Sequence, residues 1–193
     1  MSLQSFVPPV LVDAALAASR RRIGFEGHYA SWSEVVPLCR GYESEPVIKS
    51  YVAAATAAGK LGWRSHTEDA VIHSSRELRL VAALQTAQTF AIQGRNRHDG
   101  LRVVDFGGGP GTHYSLVQSM QGFDVSKYTI VESPAVAIAL QEFSDEIVSW
   151  IDVSDENPLK GLGTVDIVLS SSALQYVENP FVCCVISPPW HQL

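Results

Sequence analysis

The sequence predicts an α/β protein with a mainly parallel sheet, helices on both faces and a helical segment ahead of the sheet. From residue 101 onward, short apolar runs alternate with segments of helical periodicity, which is typical of strands joined by crossover helices. The first apolar run leads directly into a glycine-rich turn, Asp105 to Gly111. This arrangement is Rossmann-like. We therefore divide the chain into an N-terminal helical segment, 1–98, and a sheet-containing core, 99–193.

The N-terminal segment has the start and stop signals of helices. A capping-box pattern begins at Ser31, with Glu34 three residues later. Pro46 suits the first turn of the next helix, which Gly59 can end. A long helical pattern then covers 67–94, and its serine pair at 74–75 is a candidate break. We expect these helices to fold over the carboxyl ends of the strands.

The core alternates strands and helices. Thr112 begins the first helix, which extends to residue 121, and Ser133 caps a second helix that extends to residue 143. Short apolar runs on either side of these helices predict four strands, Leu101–Asp105, Tyr128–Val131, Ile147–Ile151 and Val165–Leu169.

Composition excludes several classes of function. The 193 residues are 46% hydrophobic and 18% charged, as in a globular protein, and the net charge of -6 comes from mixed charges rather than a basic surface. No apolar stretch is long enough to span a membrane. Three cysteines, Cys39, Cys183 and Cys184, show neither disulfide nor zinc spacing. We expect a cytoplasmic protein with no metal and with neither nucleic acid nor membrane as partner.

The glycine-rich turn carries the strongest chemical signal. A strand that turns sharply into a helix needs residues that tolerate positive φ, and a ligand near the backbone needs positions without side chains. A dinucleotide loop has the pattern G-x-G-x-x-G or A, but here Thr112 occupies the third position. The observed spacing joins Asp105 to glycines at alternate positions, Gly107, Gly109 and Gly111. It suits an amino-acid carboxylate and a ribose, with Asp105 near an ammonium group.

A second carboxylate strengthens this prediction. Glu132 directly follows the second predicted strand, 21 residues after Gly111. An acidic residue at this place in a Rossmann fold accepts hydrogen bonds from ribose hydroxyls. The loop and the distal acid together therefore predict a nucleoside-containing ligand.

Three core segments resemble the motifs of class I S-adenosylmethionine-dependent methyltransferases. Val103–Gly111 resembles the first motif of that family, Ile130–Glu132 its second, and Val165–Ser170 its fourth-strand motif. Phe25–Trp32 resembles part of a bacterial family of methyltransferases of unassigned substrate. The resemblance implies S-adenosylmethionine as cofactor, S-adenosylhomocysteine as product, and a small polar metabolite as acceptor.

The resemblance also implies roles for individual residues. Glu132 would hold the ribose, and Asp152, just after the third strand, would reach the adenine amino group. Ser170 and Ser171, where the fourth strand ends, would face the methyl donor. The loop would supply the remaining cofactor contacts, through Asp105, Gly107, Gly108, Gly109 and Gly111.

The sequence does not identify a catalytic residue. Methyl transfer from a sulfonium mainly needs alignment and exclusion of water, and a base only if the acceptor loses a proton. His113 and Tyr114 stand out because they lie on the first turn after the loop, but we assign neither a catalytic role. Two alternatives stay open at this stage. One is a protein that binds the cofactor without transferring the methyl group, and the other is an NAD(P)-dependent oxidoreductase, which the loop spacing disfavours.

The resemblance ends after Pro180. A complete methyltransferase sheet has about seven strands, whereas here only residues 181–193 remain, enough for one strand at Phe181–Ile186. We therefore expect an incomplete sheet at the C-terminal end of this chain. Exposed apolar sheet edges favour association, so we also expect a homodimer.

Overall fold

The computed structural model describes residues 28–38, 41–60, 62–63, 75–93, 100–153 and 162–178. The chain forms two compact units, Met1–Cys39 and Arg40–Leu193. In the first unit the described elements are helix α1 (Trp32–Val35) and a 3-10 helix (Val36–Leu38). In the second unit they are α2 (Glu45–Lys60), α3 (Ser75–Gln93), β1 (Leu101–Phe106), α4 (Thr112–Ser119), β2 (Val125–Glu132), α5 (Pro134–Leu140), β3 (Val148–Asp152) and β4 (Ile167–Ser170), with 3-10 helices at Gln141–Phe143 and Leu174–Tyr176.

The four described strands form one parallel sheet in the order β3-β2-β1-β4. The chain therefore builds outward from β1 through β2 to β3, and then crosses to the other side of β1 for β4. Strand order reverses between β1 and β4. In open α/β sheets ligands bind at such a switch point, outside the carboxyl ends of the strands. The predicted Rossmann-like α/β class is confirmed.

Side chains alternate along each strand and produce a different core on each face of the sheet. One face carries Val103, Ile130 and Trp150, and α2 to α5 pack on it. The buried side chains that these helices contribute are Ala55, Leu84, Tyr114, Val117, Val136, Ala137 and Leu140.

The opposite face has a smaller core. Val104, Phe106 and Val131 are buried there, and Leu174 from the last described 3-10 helix packs against them. Among the described residues, the helices α2 to α5 thus cover one face, and a 3-10 helix and loop residues cover the other. The carboxyl ends of the strands stay between these two layers, where the glycine loop lies.

Most predicted elements are confirmed, with local differences. β2 begins at Val125 rather than at the predicted Tyr128, because a register shift after Leu101 lets the ladder with β1 extend toward Val125. The predicted helix up to residue 143 ends its α-helical part at Leu140 and continues as a 3-10 turn. α3 spans Ser75–Gln93, and the residues just before it, where a break was predicted, lie outside the described part of the chain.

The capping box is wrong in detail. Ser31 occupies the N-cap position of α1, but its side chain makes no capping hydrogen bond. Instead its hydroxyl lies 3.0 Å from that of Ser33, and the Glu34 carboxylate accepts a hydrogen bond from the Ala30 amide at 3.2 Å. Because the Ser31 hydroxyl contacts Ser33, it does not cap the backbone amides of the helix.

Several predictions lie outside the described residues. They include the opening of the long helix at 67–74, the strand at Phe181–Ile186 and all three cysteines. The homodimer stays a prediction as well. Within the part of the chain that the structure describes, no helix combines the length and the apolar character needed to cross a bilayer.

Candidate functional site

The turn that joins β1 to α4 has the backbone conformation that its glycines predict. Gly107, Gly109 and Gly111 have φ angles of +72°, +56° and +84°. Side-chain-bearing residues rarely adopt these values, because the Cβ atom then crowds the backbone. The glycines at every second position of the sequence are thus the residues that adopt a left-handed backbone conformation in the loop.

The loop glycines differ in what surrounds them. A Cβ atom on Gly107 would overlap the Cβ of Ala173, and one on Gly108 would lie 2.5 Å from Oδ2 of Asp105. These two positions need glycine for close packing. A Cβ atom on Gly109 would meet only the Tyr51 ring, at 3.4 Å, which is an ordinary contact. The backbone at Gly109 is therefore the part of the loop with space beside it.

The Gly109 residue is held by side chains from the two neighbouring strands. Its amide donates to Oε1 of Glu132, at the end of β2, over 2.7 Å. Its carbonyl accepts from Nε1 of Trp150, in β3, over 2.9 Å. Glu132 belongs to the predicted site, whereas the sequence analysis missed Trp150. An aromatic residue in an apolar strand has no local pattern that distinguishes a loop anchor from ordinary core.

Glu132 is partly withdrawn from solvent. Burial raises the pKa of its carboxyl above the ordinary value of 4.5, and the charge of Asp105 adds to that rise. The amides of Gly109 and Ser133 donate to the carboxylate and lower the pKa, but burial is the largest influence. Asp152 pairs in register with Glu132 on the adjacent strand, so the two predicted acids lie side by side at the carboxyl edge of the sheet.

Asp105 lies behind the loop. It is fully buried, and its Oδ2 accepts hydrogen bonds from the Tyr128 hydroxyl and from Nδ1 of His113, each at 3.0 Å. Its Oδ1 has no hydrogen-bond partner among the described residues. A buried carboxylate needs such donors to offset its lost hydration. The predicted contact of Asp105 with an ammonium group stays a prediction.

A cavity of about 500 Å³ opens beside the loop. It lies between the loop, the α2 and α3 helices, the first turns of α4 and the residue after β4. The side chains that contribute polar groups to its wall are Ser50, Tyr51, Glu77, Thr112, His113 and Ser171. The cavity therefore lies between the glycine loop and the helices α2 and α3, which the sequence analysis expected to fold over the strand ends.

The two serines after the fourth strand occupy different places. Ser171 lines the cavity. Ser170 pairs in register with Phe106, and its Oγ is buried without a hydrogen-bond partner among the described residues. Both predicted serines therefore lie at the carboxyl edge of the sheet, on the β4 side of the loop, while Glu132 and Asp152 lie on the β2 and β3 side.

Three tyrosines that the sequence analysis did not single out influence one another near Glu132. The Tyr42 and Tyr176 rings meet edge to face with centroids 5.0 Å apart. The hydrogen bond with Tyr176 and burial raise the pKa of Tyr42 to about 12. Burial, and then the Glu132 charge, raise the pKa of Tyr51. The hydroxyls of Tyr42 and Tyr51 therefore stay protonated at neutral pH and can donate hydrogen bonds.

Comparisons with known proteins gave no match, whether the chain was compared with protein-family models, with curated proteins or with solved structures. Among the residues described, no group of three or more His, Cys, Asp or Glu side chains is arranged to hold a metal ion.

Gly107→Ala tests the packing requirement of the loop. The variant should lose about 2–4 kcal/mol of unfolding free energy, because left-handed backbone and overlap with Ala173 both add cost. Gly122→Ala is a matched control, since Gly122 has φ +74° but open space around its Cβ position. It should lose only about 1–2 kcal/mol in the same urea titration. Equal losses in both variants would contradict the proposed contact with Ala173.

Glu132→Gln tests the free-energy cost of burying the charged Glu132 carboxylate. A raised native pKa means that the folded state holds its proton more tightly than the unfolded state, so stability falls as pH rises above about 4.5. The variant should therefore be at least as stable as the wild type at pH 7, and its advantage should shrink toward pH 4.5. Urea denaturation across this pH range measures the difference, with exposed Glu142→Gln as the control for removing one charge. A variant advantage that grows on acidification would refute the assignment.

Proposed function

We propose that this chain binds S-adenosylmethionine and transfers its methyl group to a small polar metabolite. The observation that carries the proposal is the hydrogen bond between the Gly109 amide and Glu132. It brings the glycine loop and the distal acid, 23 positions apart in the sequence, together at the carboxyl edge of a parallel sheet. In this fold that edge binds nucleosides.

The residues at this edge suit the cofactor. The loop backbone has no side chain over Gly109 apart from the Tyr51 ring, so a ligand can approach its peptide groups closely. Gly107, Gly109 and Gly111 would line the methionine part, where the absence of side chains leaves room for it. The carboxylate of Glu132 would accept from the ribose hydroxyls through Oε2, which also accepts from the Ser133 amide, while Oε1 stays bound to the loop.

Asp152 and the serines extend this site on either side. Asp152 lies next to Glu132 in the β2–β3 register, on the side where an adenine would follow the ribose. Ser170 supplies a buried hydroxyl whose hydrogen-bonding capacity no described residue uses. When bound, the cofactor supplies an activated methyl group. The work of the protein is then to align the acceptor and exclude water.

The cavity beside the loop is the proposed acceptor site. Its volume of about 500 Å³ suits a small metabolite, and its wall mixes hydroxyl groups with apolar surface. Hydroxyls from Ser50, Tyr51 and Thr112 can hydrogen-bond a polar molecule without requiring it to carry a charge. This composition supports a polar acceptor.

Calorimetry with S-adenosylhomocysteine tests the cofactor proposal. The wild type should bind this ligand with saturation at one site. Glu132→Gln should weaken binding about 10- to 100-fold, because hydrogen bonds to a charged group contribute about 1.5–3 kcal/mol. Glu142→Gln removes an exposed carboxylate outside the site and should change affinity by less than about twofold.

Two outcomes would contradict the proposal. Binding of NAD with no binding of S-adenosylhomocysteine would support an oxidoreductase instead. Equal effects of Glu132→Gln and Glu142→Gln would show that the acid at the end of β2 does not contact the ligand.

A further inference from the structure

A carboxylate–imidazole pair lies at the wall of the cavity. Nδ1 of His113 lies 3.0 Å from Oδ2 of Asp105, and His113 itself lines the cavity. Asp105 is fully buried, while the His113 side chain keeps 14% of its surface exposed. The His113 ring thus lies between the buried Asp105 carboxylate and the cavity.

The hydrogen-bond pattern determines which ring nitrogen carries the proton. Tyr128 donates to the same Oδ2 atom of Asp105, and burial together with the Asp105 charge raises the pKa of Tyr128 well above its usual value. Tyr128 therefore keeps its proton, and Oδ2 is an acceptor. Nδ1 of His113 must then donate to it. In the neutral form of the ring, the lone pair is therefore on Nε2.

The direction of the ring follows from the same contact. Nδ1 and Nε2 lie on opposite sides of the imidazole, and Nδ1 points to the buried Asp105. Nε2 therefore points away from the core, on the side where His113 borders the cavity. This is the arrangement in which a carboxylate orients an imidazole as a proton acceptor.

We infer that His113 is the general base of this site, that Asp105 is its positioning residue, and that the acceptor carries a hydroxyl nucleophile. The inference rests on the proposed methyl-transferring function. A base is needed only where the acceptor must lose a proton, so its presence selects alcohols or phenols over acceptors that already have a free lone pair.

The atoms of the step balance without any further reactant. The acceptor oxygen forms a bond to the methyl carbon as its O–H bond breaks, and Nε2 of His113 takes the proton. The carbon–sulfur bond breaks with its electron pair retained by sulfur, which becomes a neutral thioether. The imidazolium stays paired with the Asp105 carboxylate until it releases the proton to solvent.

Other titratable groups face this cavity and share the field around His113. Glu77 approaches from α3 and Tyr51 from α2, while Asp105 and Tyr128 lie behind the ring on β1 and β2. No described element therefore opposes the proton transfer with a positive charge at the cavity wall.

The tautomer of His113 is the first measurement. In ¹⁵N-labelled protein, nitrogen–proton correlation spectra should show the Nδ1–H form in the wild type and in Tyr128→Phe, which leaves the Asp105 contact in place. Diethyl pyrocarbonate should modify Nε2 of His113, as mapped by mass spectrometry. An Nε2–H tautomer, or a His113 that resists modification while exposed His28 reacts, would overturn the proposal.

The second measurement separates the base from the cofactor site. His113→Gln keeps hydrogen-bonding capacity but cannot accept the proton, so transfer of a labelled methyl group to a panel of alcohols and phenols should fall about 10²- to 10⁴-fold. Affinity for S-adenosylhomocysteine should change less than about twofold in this variant and in the control His28→Gln. Equal transfer by wild type and His113→Gln would overturn the assignment.

Failure of the two proposals would look different. If S-adenosylhomocysteine does not bind while His113 shows the Nδ1–H form, the cofactor proposal is wrong, but the orientation of His113 by Asp105 is still supported. If the ligand binds but His113 carries its proton on Nε2, the base assignment fails and the cofactor proposal survives.

Discussion

The candidate site depends on how the Gly109 residue is fixed. Its amide is bound by Glu132, at the end of β2, and its carbonyl by Trp150, in the middle of β3. Two other strands therefore hold a loop that begins on β1. A loop of left-handed glycines has little intrinsic preference for one conformation, because glycine loses more backbone entropy on folding than other residues. Two side-chain hydrogen bonds, one of them to a carboxylate, offset that loss. The peptide groups of the loop are thereby presented in one orientation.

A second layer of contacts lies beneath the loop. The Trp63 ring packs 5.7 Å from Trp150 and 5.6 Å from Tyr114, and Tyr114 packs 5.0 Å from Tyr128. Tyr128 in turn donates to buried Asp105. Rigid aromatic packing therefore supports both Trp150, which holds the loop, and the carboxylate that orients His113. A site assembled in this way keeps its geometry before any ligand arrives, which lowers the cost of binding.

The sequence predicted those features that leave a local pattern. Alternate glycines predicted the positive φ angles, and an acid after the second strand predicted the position of Glu132. It could not predict Trp150 or Tyr51, since their contacts with Gly109 depend on tertiary packing rather than on spacing along the chain. The tyrosine that anchors Asp105 lies 23 residues away and looks like any core aromatic. The predicted capping box in α1 does not form, because the Ser31 hydroxyl contacts the Ser33 hydroxyl instead of a backbone amide.

The most direct test of the account is the amide resonance of Gly109 during a titration with S-adenosylhomocysteine. In ¹⁵N-labelled protein we predict a saturable shift of this resonance together with those of neighbouring loop glycines, while Gly122, outside the site, stays unchanged. This result would place the ligand at the peptide group on which the site depends. An unchanged Gly109 resonance at about 1 mM ligand, where even weak binding is detectable, would contradict the account.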